Sequence, residues 1–235
     1  MAAVADLAPY RRSAPFFAAL LVLALPAFWS TYFFPPRYES DWHVHVHGVA
    51  LFLWATMLIV QPLLIYAGRR SLHRALGKIS YALVPVIVAS TILLARYRMH
   101  VSTPTFDQLY FLWLQLGLMA IFAISYVQAI RWRRVPGVHA RYMACTALAM
   151  VDPIVARLLF FQLGIDIPWT QIVTYLLIDA ILLALWWRDR RAGVDAHVFP
   201  AMLALFVLVE MPTFFLPQTQ AWSSFGRWFG SLPLP

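Results

Sequence analysis

Long apolar runs alternate with short polar segments along the chain. A helix needs about 20 predominantly apolar residues to cross the hydrocarbon core of a bilayer. Seven runs are about that long, at residues 14–34, 43–66, 79–96, 109–130, 139–162, 169–187 and 198–216. No long linker or low-complexity tract separates them. The pattern therefore predicts an all-α polytopic membrane helix bundle, with one seven-helix transmembrane domain over residues 1–235.

The basic residues between the runs favour one orientation of these seven spans. Cytoplasmic loops of membrane proteins carry an excess of Lys and Arg. Alternate loops place thirteen basic residues on one side of the predicted membrane and four on the other, with Arg157 inside a span. The richer side includes the N-terminus. We therefore expect a cytoplasmic N-terminus and a C-terminus outside.

Composition supports the lipid bilayer as the surroundings of this chain. The chain is 62% hydrophobic and 12% charged, with a mean hydropathy of +0.72, far from the balance of a soluble domain. A net charge of +8 would suggest nucleic acid in a soluble protein, but here it follows from the loops, so we expect no nucleic-acid partner. The single cysteine, Cys145, lies in an apolar run, which argues against a disulfide framework.

Three of the seven histidines lie within five residues at the start of the second span. His43 and His47 share one helical face at spacing four. Steps of seven from His47 lead to Trp54 and then Gln61, so one polar stripe follows the helix inwards. His45 points away from this stripe, and we expect it to be an interfacial residue.

Further polar side chains interrupt the later spans. An ionisable residue at the centre of a span costs about 2.5–3.5 kcal/mol on insertion scales, and such residues usually face the interior of a bundle. At about 1.5 Å per residue, six groups on four helices map to the outer half of the membrane, namely His43, His47, Gln115, Asp152, Arg157 and Glu210. Asp179 maps near the middle. We expect a polar cavity that opens outwards, with Asp179 at its floor.

This set of residues is compatible with several kinds of chemistry. His43 and His47, completed by Asp152 and Glu210, could hold a transition metal such as Zn, Fe or Cu. The same groups could bind an anionic ligand through Arg157, or relay protons. Asp152 and Arg157, five residues apart, could also form a purely structural ion pair.

The last aromatic segment, residues 221–229, contains a single charged residue. Trp and Phe favour the boundary between lipid and water, so we expect this segment to lie in the outer interface. The alternative is a frayed tail.

Short motifs resemble an uncharacterised family of bacterial inner-membrane proteins. The matching segments are His43-Val44-His45, Leu72 to Gly77 (Leu-His-Arg-Ala-Leu-Gly), His139 to Met143 (His-x-x-x-Met) and the later Arg157. The resemblance covers about residues 43–160. It implies a multi-pass protein of the bacterial inner membrane, and it implies little about chemistry.

The Leu72 to Gly77 segment is also similar, more loosely, to segments of transmembrane b-type cytochromes, in which the histidine ligates haem. This similarity carries over to His73 alone. His139, at the start of a neighbouring span, could supply a second axial ligand. Those families place further histidines deeper in the membrane, whereas here an outer pair would have to combine His47 with His100, which lies at a span end or in a loop.

Two functions are therefore expected. The first is a membrane redox protein that binds haem b or a metal ion through membrane-edge histidines, with quinone as a candidate ligand. The second is a non-enzymatic subunit for small-ligand binding, transport or assembly of a membrane-protein complex, with a polar outer-half cavity. Whether the protein is an enzyme stays open. A retinal protein is disfavoured because the only lysine, Lys78, lies in a loop.

Overall fold

The computed structural model describes residues 10, 12–34, 41–99, 103–194 and 197–234. Every regular element in these ranges is helical. The α-helices are α1 (Ala14–Ala27), α2 (Trp42–Tyr66), α3 (Arg70–Gly77), α4 (Ser80–Arg98), α5 (Phe106–Arg131), α6 (Pro136–Arg157), α7 (Trp169–Arg191), α8 (Val198–Glu210) and α9 (Gln220–Gly230).

Six stretches of the described chain are long and apolar enough to cross a membrane. They are Trp42–Tyr66, Arg70–Arg98, Phe106–Arg131, Pro136–Gln162, Trp169–Arg191 and Val198–Gln218. Each contains most or all of one of the predicted spans two to seven, so the prediction of a multi-pass helical membrane protein is confirmed at this level. The first predicted span forms the 14-residue helix α1, followed by a π-helical turn at Trp29–Phe33. By itself α1 is shorter than a membrane-crossing helix.

Local side chains determine where several helices begin and end. Thr105 and Gln108 form a reciprocal capping box, so α5 starts three residues before the predicted span. The chain leaves α2 and α7 through Gly68 (φ 71°) and Gly193 (φ 67°), in the left-handed conformation that glycine adopts without a steric penalty. At Met211 the last apolar run changes from α8 to short 3₁₀ turns, and Pro212 lies in the first of them.

Trp54 lies at the centre of the bundle. Its side chain is fully buried, and its ring packs edge-on against Phe122 and Tyr126 of α5. The indole Nε1 donates to Thr146 Oγ1 of α6 at 3.3 Å. Lipid is as apolar as a protein core, so close packing and interhelical hydrogen bonds of this kind hold membrane helices together. One side chain thus connects α2, α5 and α6.

Small residues allow neighbouring helices to approach each other closely. A Cβ atom at Gly117 of α5 would collide with the Val209 side chain of α8, and Trp113 Nε1 donates to the Val209 carbonyl at 2.9 Å. Gly230 of α9 packs directly on the backbone of Met99 in the same way.

The C-terminal aromatic segment is a packed helix and not a frayed tail. Phe229 of α9 is buried beside Met99 and Leu109, and Trp222 Nε1 donates to the Leu109 carbonyl at 3.0 Å. Helix α9 therefore covers the end of α4 and the beginning of α5, the end of the bundle that the loop charges place outside.

At the opposite end, the loop arginines form a buried network. Arg141 of α6 is 1% exposed, and its Nε donates to Asp189 of α7 at 2.6 Å. Arg188 contacts the same carboxylate at 3.3 Å and donates to the Tyr10 hydroxyl at 2.7 Å. Both guanidinium groups lie 5.2 Å from the centre of the Tyr10 ring. Burial raises the pKa of Tyr10, which stays neutral between them.

We predict that Asp189→Asn lowers the free energy of unfolding by about 3–5 kcal/mol, because it leaves the Arg141 guanidinium buried without its counter-charge. Equilibrium unfolding in mixed detergent micelles measures this loss. Asp166→Asn, at an exposed loop residue, serves as the control and should change stability by less than about 0.5 kcal/mol. An equal effect of the two substitutions would contradict the role of the network.

Candidate functional site

The polar stripe of α2 faces the interior of the bundle. His43, Trp54 and Gln61 are buried, and His47 is partly buried against α4. His45 lies on another face, where its Nδ1 is 3.2 Å from the Tyr32 hydroxyl. The structure therefore separates His45 from the other two histidines, as the helical spacing indicates.

His43 is held at the start of α2 by Asp41. The Asp41 carboxylate accepts the backbone N–H of His43 at 2.9 Å and its ring Nδ1 at 2.5 Å. The imidazole stacks on Trp42 and Tyr97, with ring centres 3.9 Å and 5.2 Å away. Desolvation raises the pKa of Asp41, but the hydrogen bonds from His43 outweigh it and the pKa is lowered. His43 thus contributes to the helix cap.

His47 faces two hydroxyl groups of α4. Its Nδ1 lies 3.4 Å from Ser90 Oγ and 3.3 Å from Thr91 Oγ1. Both hydroxyls donate their own hydrogen to the Ile87 carbonyl, so the imidazole Nδ1 is the donor. Its Nε2 is therefore the atom that can bind a ligand or a second proton. Gln115 of α5 donates to the Thr91 carbonyl at 3.3 Å, which brings α2, α4 and α5 together here.

Asp152 of α6 is almost completely buried, and an amide binds its carboxylate. Gln171 of α7 donates to Asp152 Oδ2 at 2.5 Å, and its own amide oxygen accepts from the Tyr110 hydroxyl at 2.9 Å. Neither Gln171 nor Tyr110 was among the predicted site residues. A signal for Gln171 exists in the sequence, because Gln171, Tyr175 and Asp179 recur at spacing four on one face of α7.

Arg157 makes no direct ion pair with Asp152 in the described structure. It donates from Nη1 to the Pro153 carbonyl at 2.9 Å, and its guanidinium lies 4.5 Å from the centre of the Phe28 ring. Its Nε is buried and has no partner among the described residues. Asp152, Arg98 and His47 are its electrostatic neighbours. In place of the predicted ion pair, Arg157 interacts electrostatically with Asp152 on its own helix, with Arg98 on α4 and with His47 on α2.

A groove of about 210 Å³ lies between α4 and α5 near Arg98. It is lined by Ala95, Arg98, Met99, Gln108, Phe111, Leu112 and Gln115. Of the groups predicted to line one outer cavity, Gln115 lies in this groove, whereas His43, Asp152 and Glu210 are packed among the helices. Arg98 was counted only as a loop charge in the sequence, although its side chain lines the groove and is accessible.

Glu210 of α8 and Asp179 of α7 are acidic residues on two helices that pack against each other. Glu210 of α8 is 6% exposed. One carboxyl oxygen of Glu210 and one of Asp179 are buried without a partner in the described structure. Both Asp179 and Asp152 are electrostatic neighbours of Glu210. Nearby, the hydroxyls of Tyr175 and Thr213 lie 2.8 Å apart.

The proposed metal ligands do not converge. Within the described ranges, no three side chains of His, Cys, Asp or Glu lie close enough together to hold a metal ion. Other partners account for the separation: Asp41 holds His43, the α4 hydroxyls hold His47, and Gln171 holds Asp152.

The two histidines that the sequence predicts on the cytoplasmic side are neighbours in the electrostatics of the bundle. His73 on α3 and His139 on α6 are electrostatic neighbours. His139 donates from Nδ1 to the Ala129 carbonyl at 2.8 Å, which leaves Nε2 available as haem ligands require. The Gln61 amide nitrogen, oriented so that its oxygen accepts the Gly77 N–H at 3.1 Å, donates to His73 Nδ1. In that orientation of the amide the His73 proton lies on Nε2, whereas the Nε2 of His139 carries no proton.

No family model, curated protein or solved structure matches the chain.

We predict that Gln171→Leu lowers the free energy of unfolding by about 2–3 kcal/mol, because it removes the donor to the buried Asp152 carboxylate. Tyr110→Phe should cost only about 0.6–1 kcal/mol, since it removes a neutral hydrogen bond to the same amide. Unfolding in mixed micelles measures both, with the exposed Gln220→Leu as control. The reverse order of the two losses would refute this description of the network.

Proposed function

We propose that this protein binds a small anion from the outer side of a bacterial inner membrane and serves its binding or transport. The proposed topology has seven spans, with α1 and its π-helical turn as the first, the N-terminus in the cytoplasm and the C-terminus outside. The excess of basic residues in alternate loops supports this orientation.

The observation that carries the proposal is the buried Nε atom of the partly buried Arg157 side chain. This Nε has no partner among the described residues, and a second guanidinium, that of Arg98, is an electrostatic neighbour of Arg157. The one carboxylate among these electrostatic neighbours, Asp152, already accepts a hydrogen bond from Gln171. Removing a charge from water without a close counter-charge is costly. A bound anion would supply that counter-charge.

The chemistry of the donors indicates the class of ligand. A guanidinium presents a planar set of N–H donors that matches carboxylate and phosphate oxygens. His47, when protonated, would add a donor at Nε2, since its Nδ1 already faces α4. The groove between α4 and α5 brings Arg98 and Gln115 to an accessible surface, with the apolar Phe111 and Leu112 beside them. We therefore propose a small carboxylate or phosphate compound with an apolar part.

We predict that a carboxylate or phosphate salt raises the thermal unfolding midpoint of the purified protein above its value in chloride at equal ionic strength. A ligand at one hundred times its Kd stabilises by about 2.7 kcal/mol. Acetate, succinate, phosphate and phenyl phosphate form a suitable panel.

Arg157→Gln and Arg98→Gln should each abolish this rise. Arg133→Gln, which removes an equal but exposed charge at the other end of α5, should retain it. If no member of the panel raises the midpoint, or if Arg157→Gln responds like the wild type, the anion proposal is wrong.

A second candidate function is a b-type cytochrome, and one observation favours it: the fold brings His73 and His139 together. Haem would supply one-electron redox chemistry, with His139 Nε2 as the ligand that fits. The donation from Gln61 to His73 argues against the second ligand in this arrangement.

For this candidate we predict a Soret band that sharpens on reduction with dithionite in protein purified from haem-supplemented cells. Both His73→Ala and His139→Ala should lose the band, while His45→Ala keeps it. A colourless wild-type protein would exclude the cytochrome and leave the anion proposal intact.

A further inference from the structure

The proposed anion site does not include the acidic residues Glu210 and Asp179. Helix α8 packs against α5, α6 and α7. Asp179 of α7 and Asp152 of α6 are electrostatic neighbours of Glu210, and Glu210 is an electrostatic neighbour of Tyr175 on α7. The only charged residues of α5 are Asp107 and Arg131, close to its two ends. No basic side chain is among the electrostatic neighbours of Glu210 in the described structure.

This environment does not favour two ionised carboxylates. Glu210 and Asp179 each have a buried oxygen that accepts no hydrogen bond from a described residue. Like charges close together in a medium of low polarity repel strongly, and one of two such acids then keeps its proton. The shared proton would also act as a donor, and so relieve one of the unpartnered oxygens.

Asp152 connects this pair to the anion site. It is an electrostatic neighbour of Glu210 on one side and of Arg157 on the other. An anion that neutralises Arg157 removes the positive charge that favours ionised carboxylates nearby. The acidic groups should then hold protons more strongly, which makes anion binding and proton uptake mutually favourable.

We propose that Glu210 and Asp179 form a proton-binding site inside the membrane, and that Asp152 couples its occupancy to the anion at Arg157. The proton site stands by itself, whereas its coupling to an anion rests on the proposed function. The protein would accordingly take up a proton with its anion.

The experiment is an infrared pH titration of the purified full-length protein, which follows the carbonyl stretch of protonated carboxyl groups. The wild type should show a protonated-carboxyl band at neutral pH, and Glu210→Gln should lose it. Asp107→Asn, at an exposed carboxyl group, should retain the band. A band that survives unchanged in Glu210→Gln overturns the proposal.

Two further variants test the charges around Glu210 even if Glu210→Gln does not fold. Arg157→Gln imitates neutralisation by an anion and should move the half-intensity pH of the band upwards, by on the order of one unit. Asp179→Asn removes the like charge and should move it downwards. Arg133→Gln should leave it unchanged. If neither Arg157→Gln nor Asp179→Asn moves the midpoint, the proposal is wrong, whatever the anion panel shows.

Discussion

The rest of this structure depends on one constraint: a polar group inside a membrane has no water to bind and must find its partner on another helix. Trp54 donates a hydrogen bond to Thr146, Gln171 donates one to Asp152, and the hydroxyls of Tyr175 and Thr213 are hydrogen-bonded to each other. Each pair joins two helices at a fixed rotation about their axes. Because lipid gives no hydrophobic driving force between helices, these contacts and the close packing at Gly117 select one arrangement of the bundle.

Under the same constraint, a buried polar atom without a partner indicates a place where a ligand could bind. Most buried polar side chains of the bundle have partners, whereas six buried side-chain atoms have none among the described residues, and three of these belong to Arg157, Asp179 and Glu210. Arg157 lies on α6, Asp179 on α7 and Glu210 on α8, three helices that pack against one another. A bound anion would supply the counter-charge that the guanidinium lacks. A bound proton would supply the donor that the carboxyl oxygens lack. An electroneutral pair of ligands would satisfy both.

The charged side chains at the two ends of the bundle have different surroundings. At the end predicted to be cytoplasmic, Asp189 compensates Arg141 and Arg188, and each guanidinium group lies 5.2 Å from the centre of the Tyr10 ring. The charged groups at this end are paired with one another, which is typical of a structural role. At the end predicted to lie outside, Arg98 and Arg157 share no such carboxylate bridge among the described residues, and a groove opens beside Arg98. This contrast favours the end with Arg98 and Arg157 as the site of the proposed ligand binding.

The sequence by itself determined the helices, because crossing a bilayer requires a continuous apolar run, which is a local property of the chain. It also indicated that His43 and His47 share a face and that His45 does not, because helical spacing is local too. Only the tertiary structure decided which polar groups meet. Gln171 donates a hydrogen bond to Asp152, Arg157 is an electrostatic neighbour of Arg98, and Arg141 is buried against Asp189 instead of lying in a loop. Such partnerships depend on the rotation and depth of each helix, which follow from packing between segments distant in sequence.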